Sequence, residues 1–386
     1  MRATSLGGRG LWPLVLTMTV ALVAADFLRQ PLHGPENGVA APPASALVLW
    51  VPGVNAGSSA ERLAGAAAER LDRPWRPVRS QLVHGGSTSA VTTLLARRGG
   101  STPPLLLVDA GTVADIERDR RGSALPTIAA EGERAARLLR HAVPVALLAE
   151  DPLVVATSGR SSIHSPEELF TTMRRDPGGA VFGLAPDAWS RTALAALVHS
   201  VGVDGDVRYR VLPTADAAVI ARAGDLADVV IAPRSELHRL PLARGLRLLA
   251  QSDSLQTASG SATPAGASAR AAGPIGTAGP TGAAGPTGPP VARLGDLLGD
   301  GAAVAHAQRW IAIVAPPGTN ARTRRALTRQ LTRITATVSW QATLRRLALS
   351  PAPRATPARY LALARSEQDK IAVDAGHVAQ RAARRR

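Results

Sequence analysis

Short apolar runs that alternate with amphipathic stretches constrain this chain more than any other feature. "ALVLWV" (46–51) is strand-like, and "SSAERLAGAAAERLDR" from Ser58 spaces its apolar residues as a helix does. "RPVRSQLV" (76–83) is again strand-like, "STSAVTTLLARRG" from Ser87 is helical, and "PPLLLVDAG" (103–111) closes the series as a strand. Repeated strand–helix–strand order predicts parallel βαβ units, a sheet with helices packed on its faces. Ligands of such sheets sit at the carboxyl ends of strands, where helix N-termini offer unpaired N–H groups and a positive dipole end. The turns at those places are small and polar. Asn55, Gly57, Ser58 and Ser59 hand the first strand to its helix, "HGGSTSA" (His84–Ala90) repeats the arrangement, and "DAGT" (Asp109–Thr112) supplies a third. Ser58 or Ser59 is expected to cap its helix while the free amides face an anion.

Composition narrows the function. The 386 residues, 45% of them hydrophobic, suffice for two domains. The formal charge of +16 rests on arginine, because Lys370 is the only lysine. Those arginines are scattered except in the terminal "RAARRR", and aromatics make up 3%, so base-stacking platforms are scarce and no nucleic-acid partner is expected. Without cysteine there is no disulfide, thiolate site or cysteine nucleophile. Neither turn is a P-loop or a dinucleotide fingerprint, and no G-x-S-x-G or H-E-x-x-H occurs, so neither an enzyme nor a cofactor or metal is expected. Arg2 and Arg9 precede an apolar run from Leu11 to Ala25, with "VAA" just before Asp26. Residues 1–25 therefore read as a signal peptide or N-terminal anchor, 26–46 as a flexible spacer, and the remainder as extracytoplasmic.

Order along the whole chain adds a resemblance. "LVLWVPGVNAGSSAERLAGAAAERL", "LVHGGSTSAVTTLLARRGGSTPPLLLVDAGT", "VALLAEDPLVVATSGRSSIHSPEEL", "AVFGLAPDAWSRTALAALVHSVGVD", "LADVVIAPRSELHRLPLARGLRLLA" and "RWIAIVAPPGTNARTRRALTRQLTRI" follow one another. This succession resembles the tricarboxylate-binding receptors of tripartite transporters, the Bug-type (TctC) extracytoplasmic solute-binding proteins. The resemblance implies an α/β, two-lobed periplasmic-binding-protein-like fold of type II, each lobe a mostly parallel sheet flanked by helices. Residues 47–150 and 293–386 would form the first lobe and 151–250 the second, with the crossing near Leu147–Val155 and the return near Leu246–Leu249. It implies capture of a small carboxylated metabolite by hinge closure of a monomer, and delivery to a membrane permease. A sensor or surface module with a degenerate cleft, working beside a sensor kinase, is the alternative. Carried over residue by residue, the first lobe would hold the ligand through Val54, Asn55, Ala56, Gly57, Ser58, Ser59, Gly85, Gly86, Ser87, Thr88 and Ala110. The second would contribute Pro186, Asp187, Ala188, Trp189, Ser190, Pro213, Thr214 and Ala215.

Several residues depart from the relatives' pattern. His84, before a Gly-Gly turn, reads as a surface or hydrogen-bonded residue. Trp189 reads equally as a lid over a ligand or a packing residue under its turn. Arg191 and Arg234 read as solvated surface, and Asp187 would repel a simple dicarboxylate. Between 251 and 292 lies a low-complexity insertion in which, from Gly273, "GPIGTAGPTGAAGPTGPP" keeps glycine at every third place. So short a Gly-X-Y run, placed where extra length costs the fold little, reads as a disordered surface loop rather than a trimerising triple helix.

Overall fold

The strand-like runs at 46–51, 76–83 and 103–111 each contain a strand. The computed structural model describes residues between Leu47 and Asp369, except 53–57, 76–77, 84–85, 97–103, 124, 160, 185–187, 204–206, 213–226, 239–245, 254–290, 300–301, 353–356, 359–360, 363–364 and 367–368. In chain order the first half runs β1 (Leu47–Pro52), α1 (Ser59–Trp75), β2 (Val78–Val83), α2 (Ser87–Leu95), β3 (Leu105–Asp109), α3 (Ala110–Gly122), α4 (Pro126–His141) and β4 (Val143–Ser158). Then come α5 (Pro166–Arg175), β5 (Val181–Leu184), α6 (Ala188–Val201), β6 (Arg208–Val211), β7 (Val229–Pro233), α7 (Arg234–His238) and β8 (Leu246–Gln251). The chain closes with β9 (Ala292–Arg293), α8 (Leu294–Leu298), β10 (Gln308–Ala315), α9 (Ala321–Thr335), α10 (Val338–Arg346) and β11 (Ser350–Pro351).

The alternation of side chains along a strand explains the layers. In β3 the unbroken apolar run sends Leu105 and Leu107 into one core and Leu106 and Val108 into another, on the opposite face. β10 does the same, Ile311 and Ile313 joining the first core and Trp310, Ala312 and Val314 the second. Strands buried on both faces are what a parallel sheet covered by helices demands. On the first face the apolar stripe of α1 (Leu63, Ala64, Ala67, Leu71) meets Leu327, Leu331 and Ile334 of α9 and Trp340 of α10. The Arg70 guanidinium lies over the Trp340 ring, 5.6 Å from its centroid, and also donates to Oγ1 of Thr343 at 3.1 Å. Such a stacked cation joins α1 to α10 without burying an unpaired charge.

The described strands join into one sheet in the order β2-β1-β3-β10-β4-β7-β5-β6, with β8 and β11 also on β4. β1 runs parallel to β2 and β3, and β5 parallel to β6 and β7, while β10 and β4 are antiparallel to their neighbours. The expected crossing near Leu147–Val155 lies inside β4, a single strand of 16 residues whose first part pairs with β10 and whose last part pairs with β7 and β8. The expected return near Leu246–Leu249 falls in β8. Strand "PPLLLVDAG" ends two residues earlier than its apolar pattern suggests. Asp109 caps a helix with its own carboxylate, Oδ1 accepting the Thr112 N–H at 2.7 Å, so Ala110 and Gly111 already belong to α3.

Candidate functional site

Register places the site. Asp109, the carboxyl end of β3, pairs with Ile311, and Ile311 pairs with Ala149 on β4. From the other side Pro233, the carboxyl end of β7, pairs with Leu153 of the same strand. The carboxyl ends of the two parallel groups thus point toward each other over the middle of β4. The helices that begin there, α1, α2 and α3 on one side and α6 and α7 on the other, aim their N-termini at the same region. α3 packs on α6, and Ala110 and Trp189 share one core.

Of the expected ligand residues, Val54, Asn55, Ala56, Gly57, Gly85, Pro186, Asp187, Pro213, Thr214 and Ala215 lie outside the described residues, as does His84. Ser58 performs the capping that its position suggests: its Oγ accepts the Glu61 N–H at 3.2 Å. Ser59, in the first turn of α1, is buried, and its hydroxyl has no hydrogen-bond partner among the described residues. Gly86 has φ 89° and precedes α2, a backbone state that costs any residue with a Cβ. Ser87 and Thr88 are buried with their hydroxyls engaged, Ser87 Oγ donating to Oδ2 of Asp115 at 3.1 Å and Thr88 Oγ1 to Oδ2 of Asp119 at 2.6 Å. They tie α2 to α3. Ala188 opens α6, and Ser190 behind it is fully buried. Trp189 is 3% exposed and packs in the core that also holds Ala110.

The middle of β4 carries a charged network that no sequence motif announces. Arg309 of β10 brings Nε and Nη2 each to 2.7 Å from Oδ2 of Asp109, and Nη1 donates to Oε1 of Glu236 at 2.7 Å. One guanidinium thereby joins the end of β3 to α7 on the other side of β4. Next to it, Asp151 of β4 accepts the backbone N–H of Ser235 at 2.9 Å and the Ser235 hydroxyl at 2.5 Å. Burial would raise the Asp109 pKa, but the Arg309 charge and the Thr112 donors outweigh it and hold this carboxyl below its usual value. For Asp151 burial wins: despite the Ser235 donors and Arg309, and with Glu236 adding to the rise, its pKa climbs to about 7. Arg234 is not solvated surface as its sequence context suggested. Its Nε donates to the Ala348 carbonyl at 3.0 Å and its Nη2 to Ser350 Oγ at 3.2 Å, fastening β11 across β4. Arg191 is exposed, as expected. Among the described residues no cluster of His, Cys, Asp and Glu could hold a metal ion.

Two parallel strand groups sharing one long central strand, with helix N-termini turned to their meeting line, define a two-lobed periplasmic-binding-protein fold. The chain shares this fold with periplasmic binding protein BugD at TM-score 0.58 and 14% identity, over 86% of this chain and 98% of that one. It is likewise similar to MatC from Rhodopseudomonas palustris with bound malate (TM-score 0.56, 16% identity, 86% and 99% covered). Rpa4515 of R. palustris with adipate matches at TM-score 0.59 and 15% identity, over 86% and 98%. No protein-family model matches the sequence, and no curated protein matches it.

Proposed function

We propose that this chain is an extracytoplasmic solute-binding receptor of the Bug type, noncatalytic, which captures a small carboxylated metabolite and delivers it to a membrane permease. The observation that supports it most is the convergence of the α1, α2 and α3 N-termini on the middle of β4, opposite those of α6 and α7. Backbone N–H groups and a positive dipole end suit a carboxylate. The buried hydroxyl of Ser59 is a further donor that a bound oxygen or water would satisfy. The structural neighbours that hold malate and adipate lend the ligand class. A ligand that touches both lobes shifts the population toward the closed form by its differential affinity.

A thermal-shift screen of the full chain against mono-, di- and tricarboxylates, amino acids and neutral controls tests this reading. Ligand at a hundred times its Kd adds about 2.7 kcal/mol to the stability of the native form. A saturable rise with one carboxylate class, accompanied by a smaller radius of gyration in solution scattering, is the expected result. No shift with any compound would favour the second reading, a sensor or surface module with a degenerate cleft. The engagement of the Ser87 and Thr88 hydroxyls by α3 is the observation on that side.

A further inference from the structure

On the face of the sheet that also carries α1, α9 presents a row of arginines without acidic partners among the described residues. Leu327, Leu331 and Ile334 face the core, while Arg322, Arg325, Arg329 and Arg333, at spacings of three, four and four residues, are all exposed. At 100° per residue those four fall on one narrow stripe, about 16 Å long at 1.5 Å rise per residue. α9 contains no acidic residue, and none of the four makes an ion pair among the described residues. Arg322, Arg324, Arg325 and Arg329 rim a groove of about 830 Å³, floored by Val143, Pro144, Pro357 and Ala358. Thr328 fixes the helix in place above it, its Oγ1 donating to the Val145 carbonyl at 3.0 Å.

This arrangement works against the helix that bears it. Arg322, Arg324 and Arg325 lie at the positive end of the dipole, where acidic residues stabilise. Arg325, Arg329 and Arg333 are like charges four residues apart, which repel. An external anion relieves both costs. Guanidinium forks match phosphate oxygens in pairs, and a row of them along one helix stripe suits a multivalent anion. We propose that α9 docks the protein on an anionic phospholipid surface. As the N-terminal anchor of its two readings, the apolar run Leu11–Ala25 would keep the folded unit near a membrane, the intervening residues 26–46 having a reach of about 70 Å. A membrane is favoured over an acidic protein segment because α9 offers no exposed large apolar residue, which a specific protein interface would use as an anchor.

The test is sedimentation of the full chain with vesicles of phosphatidylcholine alone or with 30% phosphatidylglycerol, at low and raised salt. Insertion of the apolar N-terminal run would add equally to both vesicles, so the readout is their ratio. R322Q/R325Q/R329Q should lower the anionic-vesicle preference about a hundredfold, following roughly fivefold per arginine near such a surface. R134Q/R137Q/R175Q removes the same charge from exposed sites on α4 and α5 and should lower it less than threefold. A cooperative thermal transition, at or above the parent melting temperature for the α9 variant, establishes that each variant folds. Equal losses in both variants, or none in the first, would overturn the proposal. So would displacement by 10 mM inorganic phosphate beyond chloride of matched ionic strength, or stronger competition by polyglutamate than by vesicles.

Discussion

Arg309 decides how the ends of the strands are held together. Its guanidinium pairs with the carboxylates of Asp109 and Glu236 among the described residues, and all three side chains are at least 85% buried, so removing it takes a partner from two negative charges beside Asp151. Breaking such a pair costs about 3–5 kcal/mol, the penalty of leaving buried charge without its partner. Arg309→Gln should therefore lower the urea midpoint sharply, whereas Arg309→Met with Asp109→Asn and Glu236→Gln should recover much of the loss. Failure of that recovery would mean that the guanidinium acts by packing and not by charge. Asp151 gives a pH signature. Its pKa in the folded protein, about 7, exceeds the usual 3.8, so the folded state holds a proton that the unfolded state releases. Stability is then fully present below about pH 4 as far as this group is concerned, and falls as pH rises through 7, by at most about 1.4 kcal/mol per pH unit. The groups around it are Arg309, Glu236, Ser235 and Arg234. Asp151→Asn should flatten the slope of urea stability between pH 5 and 8, and an unchanged slope would assign the titration to another group.

At the scale of elements, close approach of helices controls the first half of the sheet. A Cβ on Gly132 of α4 would stand 2.6 Å from the backbone N and 2.9 Å from the Cα of Arg120 in α3. Backbone cannot yield as a side-chain tip can, so Gly132→Ala should push α3 off α4 and cost about 1–3 kcal/mol in denaturant unfolding. No measurable cost would mean that the two helices adjust freely. Gly132 also illustrates what local sequence withholds. Strands β1 and β3 were legible because apolar runs leave a buried strand few alternatives, and a cap at Ser58 or Ser59 was legible because capping needs only three residues of context; the structure assigns it to Ser58. The hydroxyls of Ser87 and Thr88 look free in the sequence, but their acceptors lie 28 and 31 residues downstream, across a helix–helix contact. Arg309 was hidden more deeply, one arginine among dozens, with partners 200 and 73 residues away. Pairing across such separations is fixed by strand register, and register is set by the whole sheet.

For the molecule as a whole, the insertion tests how much of the chain the fold uses. Its two ends are fastened to each other and to the central strand. Ser252 donates its N–H to the Leu153 carbonyl at 2.9 Å, and its Oγ accepts the Leu153 N–H at 2.9 Å. Asp253 accepts the Gly295 N–H at 2.9 Å through Oδ2, and its own N–H reaches the Ala305 carbonyl at 2.7 Å. β8 and β9 pair in parallel at the two ends of the insertion, Ala250 opposite Ala292 and Gln251 opposite Arg293. Residues 254–290 therefore leave and re-enter at places already closed by hydrogen bonds. Replacing them with about eight Gly and Ser residues, a reach of about 25 Å, should leave the fold intact. Shortening the loop lowers its closure entropy, so stability should stay level or rise by about 1 kcal/mol. Carboxylate-induced thermal shifts should persist, since the strand ends and helix N-termini that converge on β4 are untouched. Sedimentation equilibrium carries the other half of the argument: a surface loop predicts that intact and shortened chains are both monomeric. An intact chain that sediments as a trimer and a shortened one as a monomer would instead assign the Gly-X-Y run to a triple helix, with three binding units on one stalk.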